Sequence, residues 1–430
     1  MLPNAADVVV IGGGIAGCST AWEIAKRGGN VVLLEKGRIG GEQSSRAWGF
    51  VRQQGRDPAE LPMMIAGNKI WQGLEAELGE DIEWVQAGNL KIAYDDQRLE
   101  ELRGWLPIAR EFKLDTELLT PSQIRERVPG IIGRIAGGMF TPSDGHAEPS
   151  KATSAIGRAA ERAGAQVFTY CAVEAIETSG GHVSGVVTEK GTIQTPVVVC
   201  AAGGWSKQLA RGVGLSLPQI TVRNTVAEST SAPSITPICV WAPDVAFRQR
   251  PGGTFYLAGG GTSDYDITIE SFRSTRLFAA NYLKNRKMFN LRIGAELAKD
   301  VRRQLPGSGA RQHPFAHTVD IEPEPNLETA WGSLEGLKRM FPMLGDVGMK
   351  RVFAGMIDST PDALPVMGGV DAPRGFFFAT GFSGHGFALG PIVGKVMSEL
   401  ILDGRTDYDL RALRFSRFAE GDMAKAKKMV

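Results

Sequence analysis

The sequence predicts an α/β fold in which a Rossmann-like domain is interleaved with an α+β domain built on an antiparallel sheet. Three observations carry that expectation. Within the first 35 residues a β-branched run, a glycine turn, a helical stretch and a second apolar run ending in an acid follow one another. Short apolar strands ending in small residues recur far along the chain, at Val197-Val198-Val199-Cys200 and at Phe376-Phe377-Phe378-Ala379-Thr380. Between these blocks lie stretches of alternating character, which read as antiparallel strands with one face buried.

The first unit explains itself residue by residue. Asp7-Val8-Val9-Val10-Ile11 is the pattern of a strand buried on both faces, and it runs into Gly12-Gly13-Gly14-Ile15-Ala16-Gly17, which fits G-x-G-x-x-G. Gly12 permits the tight turn, Gly14 lets a pyrophosphate approach the backbone, and Gly17 lets helix and strand pack closely. A helix over residues 18–27 comes next, with Gly28-Gly29 as its stop. Its N-terminus, around Ile15 and Ala16, offers unpaired N–H groups and a positive dipole end to phosphates. Val31-Val32-Leu33-Leu34 then ends at Glu35, 18 residues after Gly17, where a carboxylate can bond a ribose hydroxyl pair; Lys36 stands beside it. A lone glycine fingerprint is weak evidence. Here strand, glycines, helix, strand and acid fall in order, which points to a dinucleotide and leaves little for a glycine-rich turn of another α/β fold.

Composition bounds the rest. At 430 residues the chain exceeds what one core organises, so two domains are expected. Lys+Arg at 48 against Asp+Glu at 47 leave a net charge of +1, too little to collect nucleic acid. Arg302-Arg303 and Lys425, Lys427 and Lys428 read as solvated helix faces. The four cysteines are scattered, with no CxxC and no histidine at metal-ligand spacing, so the expectation is no metal and free thiols in a reducing compartment. No basic-then-apolar leader opens the chain and no run approaches 18 apolar residues, which reads as a soluble, cytoplasmic protein without a transmembrane segment.

Fingerprint and acid suit FAD and NAD alike; the residues beyond Glu35 separate them. Ser44-Ser45-Arg46-Ala47-Trp48-Gly49 resembles the segment that runs beneath the flavin in the D-amino-acid oxidase/sarcosine oxidase-like superfamily. Asp144-Gly145-His146-Ala147-Glu148-Pro149 resembles that superfamily's turn before the helix returning to the FAD domain, expected here over 150–164. The strand expected over 170–176 corresponds to one whose residue at Val173 bonds adenine, and the run ending Ala202-Gly203-Gly204-Trp205 to one ending beside the pyrophosphate. Gly355-Met356-Ile357-Asp358-Ser359-Thr360-Pro361-Asp362, with Gly381-Phe382-Ser383-Gly384-His385-Gly386-Phe387, resembles the superfamily's flavin-contacting end and is the most specific signal. A helix starting near Gly386 would aim its N–H groups at the flavin's pyrimidine edge, where negative charge accumulates on reduction.

The resemblance implies FAD, a glutathione-reductase-type FAD-binding domain over 1–88, 145–215 and 330–430, and a substrate domain over 89–144 and 216–329. In the substrate domain the readings are a strand from Asn89, a helix over 98–112, strands over 221–227 and 240–248, and a long helical region over 274–303. The activity implied is oxidation of a C–N bond in an amine or amino acid. Departures from the pattern narrow it. The carboxylate-binding arginine that many glycine- and D-amino-acid-oxidising members carry before Thr-Pro-Asp is replaced by Met356-Ile357-Asp358. Ala388 stands where sarcosine oxidases have a lysine, while Arg52 matches their early arginine. Arg52 is therefore the first candidate for a substrate carboxylate, with Arg248 and Arg250 as alternates and Tyr256 and His385 near the same pocket. Gly355 and Arg46 stand where relatives attach FAD through Cys or His, so non-covalent FAD is expected. Tyr256 or Leu257 occupies the place of the oxygen-activating lysine, which leaves oxidase and dehydrogenase open. The wording around Ser44 and Gly355 looks closest to opine-oxidase-like members, some of which are subunits of heteromers. A C–OH-oxidising flavoenzyme and a FAD subunit acting within a heteromer stay open as alternatives, as does a homo-oligomer.

Overall fold

The computed structural model describes residues 1–259, 262–304 and 319–425; Lys427, Lys428 and the side chain of Arg303 lie outside the described residues. A six-stranded sheet runs in the order Val366–Gly369, Phe376–Thr380, Val197–Cys200, Val8–Ile11, Val31–Leu34, Gln166–Phe168. All its pairs are parallel except the first. Strand periodicity of two explains why every residue of Val8–Ile11 is buried: Val8 and Val10 face one core, Val9 and Ile11 another. On the first face pack the helices Ile15–Lys26, Leu61–Leu78, Pro149–Arg162 and Gly386–Leu402. Against the other lies a three-stranded antiparallel meander, Val173–Ser179, His182–Thr188 and Gly191–Gln194.

Among the described residues the second sheet has ten strands. Its central strand Ile220–Ser229 pairs on one side with Met349–Ser359, from Ile220↔Ser359 to Ser229↔Met349, and on the other with Phe255–Gly259 and Ser263–Asp266. Asn89–Ala93, Gly137–Thr141, Glu117–Leu119, Cys239–Trp241 and Val245–Gln249 extend it. The sheet is mainly antiparallel, but Cys239–Trp241 runs parallel to Asn89–Ala93 and Ser263–Asp266 parallel to Phe289–Arg292. Helix Leu327–Met340, capped where Asn326 Oδ1 accepts the Thr329 N–H at 3.2 Å, closes the second core over Phe247, Phe255 and Phe341. That helix and Met349–Ser359, which the sequence groups with the parallel sheet, pack on the large sheet.

Three sequence readings change. The helix expected over 98–112 is two, Asp96–Arg103 and Leu106–Glu111, parted at Gly104. The strand over 240–248 is a hairpin, Cys239–Trp241 and Val245–Gln249, turned through Ala242-Pro243-Asp244, where proline has no N–H for a ladder. The helical region over 274–303 is Ile269–Asn285 and Ala295–Gln304, separated by a 3-10 turn and the strand Phe289–Arg292. Pairing with Ser263–Asp266 outweighs helix propensity there, and Gly294 ends the strand.

Candidate active site

At the carboxyl ends of the parallel strands the chain encloses a cavity of about 1860 Å³. Open α/β sheets bind ligands there. Of the residues singled out by sequence, Gly12, Gly14, Ile15, Ala16, Glu35, Lys36, Ser44, Arg46, Ala47, Val173, Ala202, Gly203, Trp205, Met356, Gly384, Gly386 and Phe387 line it. Blocks far apart in the chain thus share one wall.

The glycine turn is shaped by contacts that no side chain would survive. Gly12 adopts φ +110°, and a Cβ there would lie 2.5 Å from Ala201 O. A Cβ on Gly17 would lie 1.9 Å from Gly12 O, so helix and turn touch backbone to backbone. Ser44 reaches in from the segment beyond Glu35, and its Oγ accepts the Ile15 N–H at 2.9 Å. Glu35 differs from its simplest expectation. Its carboxylate accepts the Gly13 N–H at 2.6 Å and the Gly37 N–H at 2.7 Å, tying the turn to its strand. Burial pushes its carboxyl above the usual range, and those two N–H groups pull it back. Each oxygen keeps a further lone pair for a hydroxyl donor at the cavity. Lys36, Glu42 and Trp205 form a linked rim: Lys36 pairs with Glu42 and sits 4.6 Å from the Trp205 ring centroid, while Trp205 Nε1 donates to Glu42 at 3.0 Å. Glycine backbone, helix N-terminus and carboxylate on the wall of one cavity together suit a flavin dinucleotide.

Elsewhere on the wall, three loops meet at a knot that sequence reasoning missed. The buried carboxylate of Asp358 accepts the Gly381 N–H at 2.7 Å and faces Thr380 Oγ1 and Gln219 Nε2, both at 3.3 Å; Gln219 Nε2 also donates to Gly203 O at 3.1 Å. Burial pushes Asp358 up to about 6 against those hydrogen bonds. Asp358 was visible within the Thr-Pro-Asp wording, whereas nothing around Gln219 marks it. Helix Gly386–Leu402 starts beside this knot and turns its first residues, Gly386 and Phe387, to the cavity.

The remaining candidates stand behind the wall. Trp48 turns from the cavity, donating from Nε1 to Asn224 Oδ1 at 2.9 Å and packing 4.9 Å from Trp241. Gly49 is pressed against Ala147 O and the Arg248 guanidinium, Ser45 Oγ bonds Glu42 O at 3.2 Å, and a Cβ on Gly355 would meet Gln43 Oε1 at 2.1 Å. Arg248, Arg250 and Tyr256, expected as substrate candidates, surround buried Glu148, at 2.9, 3.1 and 3.4 Å. Arg248 is fully buried and also donates to Trp48 O, and Arg250 pairs with Glu83 at 3.0 Å, so ion pairs with Glu148 and Glu83 occupy part of each fork. His385 Nδ1 lies 3.0 Å from Glu60. Burial, then the Arg56 charge, holds its imidazole below the usual range, while the Glu60 contact works against that fall. Arg52 lies with Arg56 and Lys91, its guanidinium 5.3 Å from the Trp241 ring centroid. Among the described residues no helix is long and apolar enough to cross a membrane, and no cluster suits a metal ion.

Known proteins share this architecture. The chain is 28% identical over 425 residues to mitochondrial sarcosine dehydrogenase of Mus musculus, covering 97% of this chain but 42% of that protein. The chain thus spans less than half of that longer relative. Glycine oxidase of Geobacillus kaustophilus is 25% identical, with 96% of this chain and 97% of that protein covered. Among solved structures, L-amino acid deaminase from Proteus myxofaciens in complex with anthranilate superposes with a TM-score of 0.90 at 27% identity, covering 97% of this chain and 94% of that one. Residues 7–400 match the family described as FAD dependent oxidoreductase (DAO), and the chain belongs to that family.

Proposed function

We propose that the protein oxidises a C–N bond of a primary or secondary amine or amino acid with non-covalently bound FAD. The observation that carries the reading is the meeting of segments 355–362 and 381–387, which line one cavity together with the glycine turn. Gly12, Gly14, Ile15, Ala16 and Ser44 would hold the pyrophosphate, Glu35 a ribose, and Met356, Gly384, Gly386 and Phe387 the ring. When bound, FAD supplies the acceptor for the hydride leaving the amine-bearing carbon; the resulting imine is hydrolysed by water. The chain's part is placement and charge. The N-terminus of Gly386–Leu402 favours negative charge at the cavity end, and the Asp358 knot fixes the loops that deliver it. The names of the relatives, a sarcosine dehydrogenase, a glycine oxidase and an amino acid deaminase, support an amine-bearing substrate.

A second reading, a FAD subunit working within a heteromer, draws on one observation. Phe272 and Leu283 on helix Ile269–Asn285, and Ile293 just past strand Phe289–Arg292, are 70%, 67% and 78% exposed. A cytoplasmic setting accompanies either reading, supported by Cys18, Cys171, Cys200 and Cys239, all free and buried. The test is anaerobic reduction: the visible flavin band of the purified protein should bleach with secondary or primary amino acids. Bleaching by 2-hydroxy acids alone would transfer the assignment to C–OH oxidation. No bleaching by either class would favour the subunit reading.

A further inference from the structure

Residues Asp320-Ile321-Glu322-Pro323-Glu324 belong to no helix or strand and to no hydrophobic core, yet both ends of this stretch are anchored. At one end Asp320 lands on the segment just past Glu35. Its Oδ1 accepts the Arg38 N–H at 3.2 Å, and its Oδ2 lies 3.6 Å from Arg38 Nε. Two glycines make room for that carboxylate. An ideal Cβ on Gly37 would lie 2.4 Å from Asp320 Oδ1, and one on Gly41 2.2 Å. Neither glycine has a positive φ, so space for Asp320, and not backbone freedom, is what they supply. Arg46, only 6% exposed, then donates from Nη1 to Ile321 O at 2.8 Å and stands 3.7 Å from Glu322.

The other end is tied to the large sheet. Glu324 O accepts from Arg223 Nη1 at 2.8 Å, and the Asn326 N–H donates to Thr225 Oγ1 at 2.8 Å, both partners on strand Ile220–Ser229. Between these anchors Ile321, Glu322, Pro323 and Glu324 line the cavity. The stretch thus bridges the dinucleotide wall and the large sheet. Its composition suits that course. Pro323 and Pro325 fix their own φ and hold Glu322 and Glu324 toward extended backbone, so little chain entropy is lost when the stretch docks. Its contacts on the dinucleotide side are few and polar, and Glu322 is 75% exposed, so they can break without opening either core.

We propose that residues 320–324 are a strap that retains FAD, lifting from Gly37 and Gly41 whenever the cofactor enters or leaves. This rests on the non-covalent reading above, and its test reads cofactor exchange and not turnover. Release is followed by chasing labelled FAD from the holoprotein with an excess of unlabelled FAD, and binding by the quenching of flavin fluorescence on mixing with apoprotein. Asp320→Ala should speed release about five-fold, the scale of one partly exposed hydrogen bond to a charged group. Binding should quicken as well, because one strap gates both directions. Pro325→Gly, outside the cavity lining, should act in the same direction by about two-fold or more, through a looser strap. Release from the unmodified protein should also quicken with salt, which screens the Arg38 and Arg46 pairs, and Asp320→Ala should lose part of that dependence. Unchanged release in both variants overturns the proposal. Faster release with slower binding overturns it too, since that is what merely structural damage gives. Flavin that stays with acid-precipitated protein overturns the non-covalent reading and the strap together. A colourless pellet with unchanged release overturns the strap alone.

Discussion

Arg417 is where the chain's stability can be tested most sharply. Its guanidinium has five N–H groups, and each has a partner: Asp362 Oδ2 at 2.9 Å and Oδ1 at 3.0 Å, Leu364 O at 2.9 Å, Pro365 O at 3.1 Å and Arg414 O at 3.1 Å. Both side chains of the Arg417–Asp362 pair are fully buried. Arg417→Met leaves a buried carboxylate without its cation and removes a donor from three carbonyls, of which Leu364 O keeps Thr360 Oγ1 at 2.7 Å. Breaking a buried pair from one side costs about 3–5 kcal/mol. The lost carbonyl bonds overlap with that figure and do not add in full. Taking about 4 kcal/mol and a urea slope of about 2.5 kcal/mol per M, the unfolding midpoint should fall by about 1.6 M. Unfolding would be followed by tryptophan emission and by release of flavin fluorescence. Adding Asp362→Asn should return part of the loss, because the stranded charge is then gone. A midpoint within about 0.4 M of the unmodified protein, or a double variant no better than Arg417→Met, would refute the reasoning.

The dinucleotide site sets further expectations. Gly17→Val places a side chain where even a Cβ would lie 1.9 Å from Gly12 O, so purified protein should contain little flavin by absorbance; normal FAD content would contradict the geometry. With Gly355 and Arg46 at the two places where relatives attach the cofactor, acid precipitation should leave a colourless pellet and yellow supernatant; coloured pellet would mean a covalent link. Asp358 has its folded value raised from 3.8 to about 6, so the stability it contributes is present below the lower value and lost as pH rises through the upper one. Asp358→Asn should therefore flatten the fall in stability across that window, and an unchanged slope in pH-resolved melting would count against it.

What was legible in the sequence is what is local. Val8 to Glu35 declares itself because turn, helix start and acid lie within one supersecondary unit, each with a steric or electrostatic reason. The C-terminal wording was legible for a similar reason, since glycines and Pro361 punctuate a short stretch. What escaped depends on contacts between distant residues. Gln219 joins Asp358 across 139 positions, and Arg248 finds Glu148 across 100. An arginine's type announces charge but not which carboxylate will claim it, so Arg248 and Arg250 look available for substrate until Glu148 and Glu83 are seen beside them. Strand Phe289–Arg292 is hidden inside helix-forming residues because its partner, not its composition, makes it a strand.

The order of strands in the parallel sheet bears on how the chain is made. Val197–Cys200 pairs on one edge with Val8–Ile11 and on the other with Phe376–Thr380. A ribosome delivers the first pair early, and the second edge stays open until residues 201–375 have emerged. During that interval an apolar ladder of unpaired N–H and C=O groups is exposed, a template for pairing with other chains. Slow translation through residues 201–375 should thus raise losses to aggregation, and chaperones that mask β-edges should matter most for nascent chains longer than residue 200 and shorter than residue 380.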